Sequence, residues 1–176
     1  MTPRKPVTPQ DPNQPSNLRE KTAHSRAQWM RGYELQLKGD LEAAIGNYLR
    51  SIAIRPTAEA HTFLGWALSF QGDLPGAMDE CHKAIEVDPG FGNPYNDLGA
   101  YLIQLGRYEE AVPWLKKALK SRRYEPRHFP HYNLGFVYMN LGRSEEALEE
   151  FESALQKCPD YEPAARMVNY LKNRMS

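Results

Sequence analysis

Neither sign of charge dominates this chain of 176 residues: 22 Lys and Arg stand against 22 Asp and Glu, leaving no net charge. No global field draws it onto nucleic acid or an anionic surface, so neither is expected as a partner. No apolar run approaches the roughly 20 residues that a membrane-spanning helix needs, so membrane insertion is not expected. The opening Met1-Thr2-Pro3-Arg4-Lys5-Pro6 also lacks the apolar core of a signal peptide, and a cytoplasmic location is the expectation. Cysteine is scarce. Cys81 and Cys158 are far apart in the chain and are read as unpaired, Cys81 as a small buried apolar residue.

Catalytic signatures are missing as well. There is no HExxH, CxxC or GxSxG pattern and no Gly-rich phosphate loop, so neither an enzymatic activity nor a cofactor is expected. The nearest approach to a metal site is His128-Phe129-Pro130-His131, two imidazoles three residues apart. Zinc takes three or four ligands, and the sequence places no third. His131 is therefore read as a packing residue and His128 with Pro130 as a helix entry; a metal-binding or enzymatic role through His128 and His131 is the alternative. Glu109-Glu110, Glu145-Glu146 and Glu149-Glu150 lie early in helical stretches, where the helix dipole accounts for them.

What the chain does have is a skeleton that returns four times, a Leu-Gly pair followed by Gly, then Ala, then Pro, at spacings of 33, 34 and 36 residues. The second copy reads His61, Leu64, Gly65, Leu68, Gly72, Ala77, Cys81, Ala84, Pro89. The third has Tyr95, Leu98, Gly99, Leu102, Gly106, Ala111, Leu115 and Ala118. The fourth has His131, Leu134, Gly135, Tyr138, Gly142, Ala147, Phe151, Ala154 and Pro159. The first is degraded but in register: Arg31, Gly32, Leu35, Gly39, Ala44, Tyr48, Ser51 and Pro56. Each copy is apolar at helical spacing, breaks at Gly, and resumes until a Pro, which predicts two antiparallel helices per copy. Gly32, Gly65, Gly99 and Gly135 fall inside the first helix, where Gly costs about 1 kcal/mol, and so must permit a close helix approach.

This pattern resembles the tetratricopeptide repeat family, whose repeat is 34 residues long. The resemblance implies an all-α, right-handed α-solenoid of about four helix-turn-helix repeats with a C-terminal capping helix. The boundaries read from the sequence are a Pro-rich tail without fixed structure over 1–22, repeats over 23–57, 58–91, 92–127 and 128–160, and a cap over 161–176. The third-to-fourth joint, Ser121 to Arg127, carries two extra residues and predicts a longer second helix or a loop, with a change of pitch. The family also implies a non-catalytic adaptor or scaffold that holds a protein or peptide in a concave groove lined by first helices. Transferring the family's groove places gives Arg26, Trp29, Tyr33, Gln36 and Leu37; Glu59, Thr62, Trp66, Ser69 and Phe70; Asn93, Asn96, Ala100, Ile103 and Gln104; and Phe129, Tyr132, Phe136, Met139 and Asn140. With Asn133 on the rim, that surface is aromatic, rich in amides and nearly uncharged. The Lys and Asn of a two-carboxylate clamp are replaced by Trp29, Tyr33, Thr62 and Trp66, so clamp-type chaperone binding is not expected. An amphipathic helix or an extended peptide is.

The phrasing Tyr95 to Leu102, Arg107 to Ala111 and the extended joint is also similar to the pilotin lipoproteins of type IV pilus biogenesis, which implies an assembly factor for an envelope complex as the alternative function. The tail, with prolines at 3, 6, 9, 12 and 15, suits a polyproline II strand and is a candidate groove ligand in cis. Repeat one has no helix before it to cover its outer face, which leaves self-association open; a monomer is the expected state.

Overall fold

Four Gly-Asp or Gly-Arg steps cut the chain into helix pairs. The computed structural model describes residues 15–175, and among these every regular element is helical. The pairs are α1 (Pro15–Leu37) with α2 (Leu41–Ile54), α3 (Ala58–Phe70) with α4 (Leu74–Val87), α5 (Asn93–Gln104) with α6 (Tyr108–Lys120), and α7 (His128–Asn140) with α8 (Ser144–Lys157). A ninth helix, α9 (Glu162–Met175), follows. This is the all-α repeat fold read from the sequence. The chain divides into two units, Met1–Pro56 and Thr57–Ser176.

The turn chemistry is the same in every pair. At the end of α3, Gly72 has φ +88°, its N–H bonds Ser69 O, and the Asp73 N–H bonds Leu68 O. Only Gly adopts that left-handed conformation without strain, and the two bonds satisfy carbonyls the helix would leave open. The residue after the glycine then starts the second helix in one of two ways. Asp40 and Asp73 accept the N–H of Ala43 and Gly76 through their side chains. Arg107 and Arg143 instead grip Glu110 and Glu146, which sit in the first turn where the dipole favours a carboxylate.

Inside the second unit, α5 and α7 each offer a glycine to a larger side chain of the partner helix, whereas Gly65 of α3 lies against the Ala77 backbone carbonyl of α4. A Cβ at Gly135 would lie 2.8 Å from the ring of Phe151, which is fully buried. Phe151 joins Leu134, Val137, Ala147 and Ala154 in a core that α9 closes with Ala164, Val168 and Leu171. The same layer carries a repeated polar pair: His61 Nδ1 meets Glu80 at 2.6 Å, and His131 Nδ1 meets Glu150 at 2.7 Å. Burial would raise the Glu80 carboxyl, but hydrogen bonds from His61 and Lys83 hold it below the usual range.

One feature differs from the sequence reading, and a second decides between two alternatives that the sequence left open. Helix α1 already runs from Pro15, so residues 15–22 are helical rather than part of a tail; the remainder of that tail, with its proposed place in the groove, lies outside the described residues. The segment is tied to the end of α2, where the capping residue Arg55 donates to the Thr22 hydroxyl at 2.6 Å, and one turn on Ser25 and Ser51 of α2 bond each other at 3.0 Å while buried. The extended joint, for its part, is a loop and not a longer helix, since α6 ends at Lys120. It hydrogen-bonds the preceding joint, Gly92 N–H to Arg123 O at 2.9 Å and Arg123 N–H to Gly90 O at 3.1 Å. Arg123 also pairs with Glu59 at 2.6 Å and with Asp88, while Tyr124 is buried.

Gly135→Ala should therefore lower stability by about 1–3 kcal/mol in a denaturant melt, because the Phe151 ring has nowhere to go. Gly46→Ala, in α2 with nothing within 4 Å of the added carbon, should raise it by about 0.5–1 kcal/mol.

Candidate functional site

The residues transferred as a groove fall on both units. In the first, Trp29 and Tyr33 stack at 6.5 Å with their planes 9° apart, and Tyr33 is 40% exposed. In the second, α3, α5 and α7 carry the rest. Phe70 is 69% exposed and Phe129 39%, so these two rings, like Tyr33, present area to solvent. Trp66, Ala100, Tyr132, Asn133 and Phe136 are half-buried, and Asn140 is exposed, its amide donating to Phe136 O at 2.8 Å. Thr62 does not reach the surface: it is fully buried and its hydroxyl donates to Ala58 O at 2.8 Å. It is a packing residue, because its short side chain finds its partner within its own helix.

The polar groups on this face are tied to one another. The Trp66 indole N–H donates to Asp97 Oδ2 at 2.6 Å, linking α3 to α5, and the Asn133 amide donates to Asn96 Oδ1 at 3.1 Å, linking α7 to α5. Asn96 also bonds Asp97. The result is a polar ladder across three first helices. Amides free to meet a peptide backbone were expected here; those of Asn96 and Asn133 have already spent part of their capacity within the protein.

Asp97 was not singled out in the sequence. It fills the place before Leu-Gly that Asn133 fills in repeat four and Phe63 in repeat two, so an acid where neighbours carry an amide or a ring was the available signal. It is 7% exposed, and burial pushes its carboxyl up to about 7, although the Trp66 and Asn96 bonds oppose the rise. The Tyr101 hydroxyl, also buried, is held far above its ordinary range by burial and by the Asp97 charge. Cys81 lies against the same cluster, and burial raises its thiol well above the ordinary value. Such a thiol is inert.

His128 and His131 do not come together as ligands. His131 is engaged by Glu150, whereas His128 packs at a tilt against Phe129 at 4.2 Å and Tyr161 at 4.7 Å, its basicity lowered by burial. Among the described residues no group of three or more His, Cys, Asp or Glu is placed to hold a metal. Trp114 is a packing residue of the second-helix layer, stacked on Tyr95 at 6.2 Å with Lys117 over its ring at 4.3 Å. Among the described residues no helix is long and apolar enough to cross a membrane.

Three tetratricopeptide repeat family models match, over residues 58–82, 95–123 and 128–161, together half of the chain. The chain belongs to the tetratricopeptide repeat family. It is 35% identical over 83 residues to the small glutamine-rich tetratricopeptide repeat-containing protein 2 of Mycosarcoma maydis, a match covering 46% of this chain and 23% of that protein. It is 29% identical over 120 residues to the type IV pilus assembly protein PilF of Pseudomonas aeruginosa, covering 68% of this chain and 48% of that one. The chain thus spans about a quarter to a half of the length of these relatives. The solved structure of Pseudomonas aeruginosa PilF superposes with a TM-score of 0.84 at 25% identity, over 89% of this chain and 71% of that one. Tetratricopeptide repeats are protein-interaction adaptors, and the pilotin resemblance read from repeats three and four agrees with the PilF match.

The Asp97 carboxyl holds its proton more tightly in the folded chain than at its ordinary value of 3.8, so this group's contribution to stability should be full below about pH 4 and lost as pH rises through about 7. Asp97→Asn should remove that slope. Thermal melts from about pH 4 to pH 8 should show the variant gaining on wild type as pH rises; parallel curves would place Asp97 in a solvated setting.

Proposed function

We propose that the face carried by α3, α5 and α7 is the surface on which this repeat protein holds a protein partner, as an amphipathic helix or an extended peptide. One observation carries the reading. Large apolar side chains at groove places, above all Phe70 and Phe129, are left in solvent beside a face whose polar groups are bonded among themselves. Exposed aromatics supply area at small entropic cost, and the ladder keeps the helices that bear them in fixed register. The chemistry is non-catalytic: the site positions apolar area and amides, and its one perturbed carboxylate is covered by an indole. Trp29 and Tyr33 extend the same reading to the first unit.

A second reading, an assembly factor for an envelope complex, has support from the PilF likeness and from the extended joint, which here is an ordered strap and not a slack insertion. The two readings share a mode of action, partner binding without chemistry, and differ in compartment. The adaptor reading puts the protein in the cytoplasm as a monomer. Fractionation of source cells separates them, since recovery with the envelope favours the assembly factor.

Phe70→Ala removes a ring with little packing role. If the face binds, affinity capture from native lysate should yield a partner with wild type, and its affinity for the variant should fall about thirtyfold, some 2 kcal/mol, with helicity intact. Equal affinity would move the partner elsewhere.

A further inference from the structure

Seven of the thirteen lysines and arginines of the second unit make ion pairs: Lys83 with Glu80, Arg107 with Glu110, Arg123 with Glu59 and Asp88, Arg127 with Glu125, Arg143 with Glu146, Arg166 with Glu162 and Lys172 with Glu152. Three of the other six gather at one place. A cleft of about 530 Å³, at the edge where α6 ends against the preceding joint, is lined by Pro89, Gly90, Tyr95, Lys117, Lys120, Ser121 and Arg122. Lys117, Lys120 and Arg122 are exposed, and among the described residues none of the three has an ion pair. No acidic side chain lines the cleft. Asp88, which precedes Pro89, is already held by Arg123, and Glu125 in the extended joint pairs with Arg127.

The ordinary explanation for lysines at a helix C-terminus is that they offset the open carbonyls and the negative end of the dipole. Here that task is done by other groups. The Arg127 guanidinium donates to Leu119 O at 2.6 Å and to Ser121 O at 3.0 Å, and the Ser121 hydroxyl donates to Lys117 O at 3.0 Å. With the Lys117, Ala118 and Leu119 carbonyls bonded, three cations stand around a cleft whose other walls are a proline, a glycine, a serine and a tyrosine ring; of the three, Lys117 also lies over the Trp114 ring at 4.3 Å. Tyr95 is fixed there by its hydroxyl bond to Pro89 O at 3.1 Å and by its stack on Trp114. The cleft shares no residue with the face on α3, α5 and α7, so the argument is independent of that one.

We propose that this cleft is a second docking site, for an acidic peptide segment of a protein partner that places an apolar side chain between carboxylates. The apolar side chain rests on Pro89 and Tyr95, and the carboxylates meet Lys117, Lys120 and Arg122. A polyanion is the poorer fit: nucleic-acid binding draws on many phosphate contacts spread along a charged surface, whereas three cations around one cleft in a chain of zero net charge supply few.

The test is selection from a displayed random-peptide library on wild type and on Lys120→Glu, Arg122→Glu, both exposed positions, with Lys38→Glu, Lys157→Glu as the charge-matched control and circular dichroism to confirm folding. Wild type and control should enrich peptides with Asp or Glu flanking a Leu, Ile or Phe, and synthetic versions should bind the reversal variant about tenfold or more weakly. Phe70→Ala should leave that affinity unchanged. Enrichment without acids, no enrichment at all, or equal affinity for the reversal variant would overturn the proposal. So would a finding that only anionic phospholipid vesicles or single-stranded DNA bind, and lose binding on reversal.

Discussion

The distance between the two helices of a hairpin is set where a glycine of the first helix faces the second, a larger side chain in three hairpins and the Ala77 backbone carbonyl at Gly65, and most else in the fold depends on that approach. Gly32 meets the ring of Tyr48, Gly99 the side chain of Leu115 and Gly135 the ring of Phe151. The residue opposite is fully buried in each case. Ala44, Ala77, Ala111 and Ala147 complete the fit from the other side, all without exposed surface. An interior packed this closely has no slack to absorb an added methyl group. Helices held at so short a separation leave their outer faces in defined register, which is what a binding surface requires.

On the face of α3, α5 and α7 the protein spends polar groups on itself. A buried carboxylate is costly, and Asp97 is tolerable because it accepts the indole N–H of Trp66 and a bond from Asn96. The Asn96–Asn133 bond carries the link to the next helix. A ladder of this sort ties repeat to repeat by direction as well as by area, whereas apolar contact alone would permit sliding. The strap from Ser121 to Arg127 has a related effect at the loop edge, where Arg123 ties two joints and α3 together through Asp88 and Glu59.

Local signals were legible and distant ones were not. Gly39, Gly72, Gly106 and Gly142 marked the helix breaks because the left-handed turn is a property of one residue and its neighbours. The start of α1 was misread because its ties lie far along the chain; the Thr22–Arg55 bond spans 33 residues and the Ser25–Ser51 bond 26. Asp97 escaped notice since its partner Trp66 is 31 residues away, and an acid beside a Leu-Gly pair looks like any solvated charge until that partner is known. Thr62 was counted with the groove by position alone, and a rotamer turned onto its own helix removed it. His131 was legible because His61 stands in the same place one repeat pair earlier, and both meet a glutamate 19 residues on.

The first helices of repeats two, three and four are locked by specific polar bonds and not merely by contact area. A double-mutant cycle on stability, with Trp66→Phe, Asp97→Ala and the pair, isolates the bond between α3 and α5. A coupling of about 1 kcal/mol or more at neutral pH is the result predicted for a buried hydrogen bond to a carboxylate. Additive losses would contradict it and leave the face held together by packing alone.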